Sequence, residues 1–260
     1  MRTWRFAVLA GILLIAALIL IFLPAIPQVA AYHNFADQRA LLGIPNCLNV
    51  ISNFPFLLVG VWGLLALMRG GKSGGADFVD PRERWPFLIF FAGVALTASG
   101  SSYYHLQPAN GSLVWNRLPM TVGYTALVAA VIAERISVKA GMRLLAPLLL
   151  AGIFSVFYWN LTESAGRGDL RPYAFVQFGS LLAILLLIAL WPPQYTRGGD
   201  FVIALGIYAL SKVFEAADRQ IFALGAIVSG HTLKHLAAAA SAYWVLRMLR
   251  VRMQISRAIT

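Results

Sequence analysis

Pro86-Phe87-Leu88-Ile89-Phe90-Phe91-Ala92-Gly93-Val94-Ala95-Leu96-Thr97-Ala98-Ser99-Gly100-Ser101-Ser102-Tyr103-Tyr104-His105 carries no Asp, Glu, Lys or Arg, and its one histidine comes last. A helix of about 20 residues spans the roughly 30 Å hydrocarbon layer of a bilayer. The apolar residues do not alternate with period two, so the stretch reads as a helix and not as a barrel strand. Working outward, similar runs fall at about 5–25, 47–69, 86–107, 112–134, 142–159, 172–191, 201–223 and 231–250. Between them 70–75, Pro108-Ala109-Asn110-Gly111 and Trp191-Pro192-Pro193-Gln194 read as turns.

Composition agrees. The chain has 260 residues, 60% hydrophobic and 12% charged, where a soluble domain carries about 25% charged residues. In lipid the backbone must satisfy its own hydrogen bonds, as helices or as a closed barrel. The expectation is an all-α, polytopic transmembrane bundle with a seven-helix core and one extra N-terminal helix. No soluble domain, low-complexity tail or short-period repeat is visible.

The net charge of +11 does not point to nucleic acid, because the cations sit in short loops. Arg2, Arg5, Arg69, Lys72, Arg82, Arg84, Arg135, Lys139, Arg143, Arg197, Arg247, Arg250, Arg252 and Arg257 fall on one side of the eight spans, 14 of the 21 Lys and Arg. Arg39, Arg167, Arg171 and Arg219 fall on the other. The positive-inside rule then places both termini in the cytoplasm and 25–46 outside, as for a bacterial inner-membrane protein. Residues 1–26 form a transmembrane helix or signal anchor, 27–46 an extracytoplasmic loop, 47–252 the seven-span domain and 253–260 a cytoplasmic tail. Met1-Arg2-Thr3-Trp4-Arg5 before an apolar run also suits a signal peptide cleaved near Val29-Ala30-Ala31. The run is long for that, which favours a retained helix. Cys47 is the single cysteine and reads as a small packed apolar residue.

This topology brings three of the four histidines to one depth. His105 closes the third span, while His231 and His235 open the eighth. Residues four apart share a helix face, so His231 and His235 can grip one ion, and Ser101 lies one turn below His105. Intramembrane ionisable residues usually mark a site. Three imidazoles with a fourth position left to water suit a catalytic zinc, which lowers the pKa of bound water towards ~7 and polarises a carbonyl. The reaction class implied is hydrolysis of an amide or ester reached from the lipid. Any one of these histidines alone also fits hydrogen-bonded packing, and Ser101 also fits a helix contact. His33, in the outer loop, reads as solvated or loop-packing.

Ala36-Asp37-Gln38-Arg39, Gly43-Ile44-Pro45-Asn46, Asn49-Val50-Ile51-Ser52-Asn53, Ser101 through His105, Leu113 through Met120, Gly168 through Tyr173 and Ser229 through His235 resemble the alkaline ceramidase family. That family belongs to the CREST group of seven-helix membrane hydrolases, and the chain looks like its bacterial branch. The resemblance implies cleavage of the ceramide amide, or that of a related N-acyl lipid, to a fatty acid and an amine. It implies zinc (Zn2+) held by His105, His231 and His235, with Ser101 beside the reacting oxygen. A calcium (Ca2+) site belongs to eukaryotic members. Asp37 and Asn46 are the oxygen-bearing positions that correspond here, and the rest of that acidic cluster is thin.

One position departs from the family. Its acid–base aspartate falls in a W-D-R-L-P-M stretch, where this chain has Asn116. Asparagine cannot take a proton from water and return it to a leaving amine. Asn116 is then an engineered change, or a natural one with reduced activity, or another carboxylate serves, with Glu215 and Asp218 the alternatives. Those two also fit a structural network with Lys212 or Arg219. A rival reading is a lipid-responsive receptor of the adipoQ type with a mainly structural zinc.

Overall fold

Apolar runs in this chain fold as helices because every backbone N–H and C=O then finds its partner within the run. The computed structural model describes residues 3–69 and 78–255, and its regular elements are all helical. The 70–75 turn, Arg2, Lys72, Arg257 and residues 256–260 of the expected tail lie outside the described residues. The helices are α1 (Thr3–Phe22), α2 (Cys47–Ile51), α3 (Phe54–Arg69), α4 (Arg84–Leu106), α5 (Asn110–Arg135) and α6 (Val138–Ser164). They continue with α7 (Arg171–Ala174), α8 (Ser180–Leu190), α9 (Asp200–Ala216), α10 (Asp218–Ala223) and α11 (Gly230–Val251). A π turn over Phe175–Gly179 joins α7 to α8 in one rod. Helical rods thus lie where the eight apolar segments were read.

Five of these rods are long and apolar enough to cross a membrane: Thr3–Phe22, Cys47–Arg69, Pro81–Leu106, Val138–Ser164 and Arg171–Leu190. The others are shorter or more polar. α9 has 17 residues and includes Lys212 and Glu215, α5 includes Asn116 and Arg117, and α11 includes His231, Lys234 and His235. The polarity that lowers their apolar character is the polarity they contribute to the interior.

The surface is apolar, and polar groups are gathered in the interior beside an apolar core. Leu14, Ile19, Phe22, Leu58, Leu150, Phe154, Leu161 and Leu210 are exposed, while Asn49, Asn53, Ser101, His105, Thr121, Glu134 and Ser229 are buried. An apolar mantle of this extent would aggregate in water and is at home in lipid. α1 buries none of its residues and lies against the outside of the bundle.

Close packing of α4 on α5 sets the bundle around the site. A Cβ at Gly100 would fall 2.0 Å from the carbonyl oxygen of Trp115. Glycine there lets the two backbones touch, as small residues do in membrane helix pairs. This seats Ser101 of α4 beside Asn116 of α5. At the other end of the bundle Arg252 bonds Glu134 at 2.6 Å and stacks on Tyr195 at 3.9 Å. Tyr195 in turn donates to Glu83 at 2.8 Å.

Candidate metal centre

Three histidines meet where the last turn of α4 reaches the first turns of α11. α11 begins cleanly because its first N–H groups, which no helical carbonyl can accept, find side chains. Ser229 Oγ accepts from the Thr232 N–H at 3.1 Å, and Asp218 Oδ1 accepts from the His231 N–H at 2.7 Å. Gly230 is required there, since a Cβ would fall 2.2 Å from the Phe214 carbonyl oxygen. His231 and His235 then project on one face, opposite His105. The three ring centroids are mutually 4.9 Å apart. All three residues are buried, and each offers a nitrogen within 4.8 Å of the others, close enough to hold one metal ion.

The hydrogen bonds fix how one ring points. Ser52 Oγ lies 3.1 Å from the Asn49 carbonyl and 2.8 Å from His235 Nδ1. With the Ser52 proton on that carbonyl, Ser52 accepts from Nδ1, and this tautomer of His235 turns the Nε2 lone pair inward. There it faces His105 Nε2 at 3.3 Å. Two nitrogens each ~2.0–2.1 Å from a tetrahedral zinc lie roughly 3.3 Å apart. The donor set thus fits such an ion, with Ser52 as the outer partner that orients a ligating imidazole.

The short polar helix α2 serves both sides of the cluster. Asn46 Nδ2 donates to the His105 carbonyl at 2.9 Å. Asn49 Oδ1 accepts from Thr232 Oγ1 at 3.0 Å, while its Nδ2 donates to the Asp37 carbonyl at 3.1 Å. Phe35 covers the rings, with centroids 4.6 Å from His105 and 4.7 Å from His231. Asp37 is taken up by Arg39, at 2.8 Å and 2.7 Å, and that hydrogen-bonded guanidinium holds its carboxyl below the usual carboxylate range. Among the described residues, the His, Cys, Asp and Glu groups close enough to share an ion are the three histidines alone. Asp37 pairs with Arg39, and Asn46 donates to the His105 carbonyl. His33 pairs Nδ1 with Tyr104 Oη and Nε2 with Asn110 Oδ1, both at 2.9 Å, so it packs the loop and is not a ligand. Cys47 is buried and unpaired.

A cavity of about 330 Å³ opens below the cluster, with Ser101, Asn116 and His235 on its wall. Its deeper lining is apolar and includes Phe90, Leu127, Ile184 and Val245. From His235 to Val245 along α11 is ten residues, or roughly 15 Å, so the space is long and suits a hydrocarbon chain. Glu215 also lines it, bonded to Lys212 at 2.8 Å and to Lys234. Tyr32 donates to Glu215 at 3.4 Å, and burial pushes its hydroxyl up to about 12, so it stays a donor. Asp218 is occupied by the His231 and Ala36 N–H groups and caps structure instead of facing the cavity.

Sequence reading singled out the three histidines and Ser101 but assigned no role to Ser52, Asn49, Lys234 or Tyr32. The available signal was the run Asn46, Asn49, Ser52, Asn53, whose three- and four-residue spacing puts polar side chains along one face of a buried turn. Compared with known proteins, the chain matches no family model and no curated protein.

Proposed function

We propose that the chain is a membrane-embedded, zinc-dependent amidohydrolase of the alkaline ceramidase type. It would cleave the amide of an N-acyl lipid to a fatty acid and an amine. The observation that carries this reading is the buried cluster of His105, His231 and His235, of which His235 lines a largely apolar cavity that also presents Ser101. Zinc, when bound, would activate water near neutral pH and polarise the amide carbonyl. The chain's residues supply the rest. The cavity takes the acyl chain and excludes water from it. Ser101 aims a hydroxyl at the oxygen that gains charge as the carbonyl is attacked. Asn116 holds the amide by hydrogen bonding but moves no proton. Glu215, the carboxylate on the cavity wall, is engaged by Lys212, Lys234 and Tyr32 and fits a structural network, so the acid–base group is the one that Asp at position 116 would supply.

The seven-span core, the cytoplasmic termini and an outer-leaflet site belong to the same proposal and rest on the basic-loop asymmetry. Asn116 favours one second reading, a lipid-responsive receptor in which the metal is structural. Metal analysis and fatty acid release separate the two. The hydrolase reading expects about one zinc per chain, lost when His231 and His235 become Ala. It also expects Asn116→Asp to raise fatty acid release by about 10²–10⁴-fold, the range of general acid–base catalysis. Bound zinc with no release from either form supports the receptor, and no zinc overturns both.

A further inference from the structure

Arg117 follows Asn116 on α5 and is 5% exposed, yet it joins no ion pair among the described residues. Its Nη2 donates to Gln28 Oε1 at 2.6 Å. Its guanidinium lies 4.0 Å from the Trp159 ring centroid and 4.6 Å from that of Tyr173. Its Nη1 is buried with no acceptor. Stacking offsets part of the cost of burying this cation, but a desolvated guanidinium without an anion remains expensive.

The surroundings have the same sign. Arg117, Lys212 and Lys234 line the cavity against a single carboxylate, Glu215. A line of contacts carries this rim to the histidines. The Arg117 guanidinium lies 5.9 Å from the Tyr32 ring, and the Tyr32 hydroxyl reaches Glu215. Glu215 bonds Lys234, whose Nζ lies 3.5 Å from His231 Nε2. The guanidinium and His235 thus border one cavity, with Lys234 linking its polar rim to His231.

We propose that this cavity takes an anionic N-acyl lipid, an amide with a carboxylate on its amine side, and that Arg117, which lines the cavity and has an Nη1 without an acceptor, turns to hold that carboxylate. A neutral head such as that of ceramide would leave the positive excess of the rim unmatched. The proposal rests on the hydrolase reading only in taking the ligand to be an amide.

Binding of radiolabelled ligands to the full chain in phosphatidylcholine nanodiscs tests it. N-oleoylglycine and N-oleoylethanolamine share chain and amide and differ in the carboxylate. The expected result is about 10- to 100-fold tighter binding of the glycine conjugate, the worth of a buried charge-assisted hydrogen bond. Arg117→Gln should bring the two within about threefold, and Arg117→Lys should restore part of the gap. Equal binding to the unaltered protein overturns the proposal, and needs no variant to fold. So does a preference that survives in Arg117→Gln. Oleate binding as tightly as N-oleoylglycine also overturns it, by assigning the rim to the fatty acid product. If the charge preference holds and no amide is ever cleaved, the hydrolase reading fails and this one stands.

Discussion

Replacing Ser52 by Ala tests the metal centre without touching a ligand. Ser52 and His235 are 6% and 4% exposed, so water cannot stand in for the lost hydroxyl. The change leaves His235 Nδ1–H without its 2.8 Å acceptor. An unpaired buried donor costs about 1–3 kcal/mol, and a ring free to rotate or change tautomer presents its lone pair less often. The Asn49 carbonyl also loses Ser52 as a donor, but keeps the Asn53 amide at 2.7 Å, so little backbone damage follows. Metal affinity should therefore fall by about 10- to 100-fold, as for other outer-partner changes. Competition for zinc against a chromophoric chelator measures it. In a His235→Ala background the same substitution should cost nothing further. Unchanged affinity in the single variant, or an equal loss in both backgrounds, would refute the orienting role of Ser52.

Arg252→Ala should destabilise the bundle by up to about 3–5 kcal/mol, because it breaks a buried 2.6 Å pair and leaves Glu134 only the longer 3.7 Å contact with Arg135; thermal unfolding in detergent measures this. Gly100→Ala should part α4 from α5, costing about 1–3 kcal/mol or more and displacing Ser101 from Asn116, whereas Gly111→Ala, with nothing within 4 Å, should be close to neutral. Asp169 is held below the usual carboxylate range by its hydrogen bonds to Arg171. A depressed pKa contributes stability above the unfolded value of about 3.9 and loses it as pH falls through the folded value. Asp169→Asn should therefore lower the melting temperature at neutral pH and match the unaltered protein in strong acid; a deficit independent of pH would contradict this.

The sequence made some of these features visible and hid others for physical reasons. Apolar length marks α1, α3, α4 and α6 because lipid-facing rods need little polarity. It marks α5, α9 and α11 less well, since Arg117, Lys212, Glu215 and Lys234 sit inside them. The S-x-x-x-H and H-x-x-x-H spacings placed Ser101 and the histidines, because helical periodicity turns spacing into a shared face. The same logic paired Glu215 with Lys212, three residues apart. It did not reach Lys234 as the second partner of Glu215, nor Ser52 on His235, which are joined across 183 residues. Such contacts are set by how helices dock, and no local pattern encodes them. The π turn at Phe175–Gly179 was equally silent, though it presents Gln177 to Tyr208 at 2.6 Å.

Asn46 and Ser52, the residues that flank the short helix α2, bond the carbonyl of His105 and the imidazole ring of His235, so protein contacts hold two of the three candidate ligands in place. A zinc finger unravels when its ion is stripped, since folding and coordination are a single event there. On the zinc reading proposed above, a chelator should remove the ion and leave the scaffold standing. Reloading would then return the ion to its site without any need to refold, and the ion would add to thermal resistance only what mass action gives.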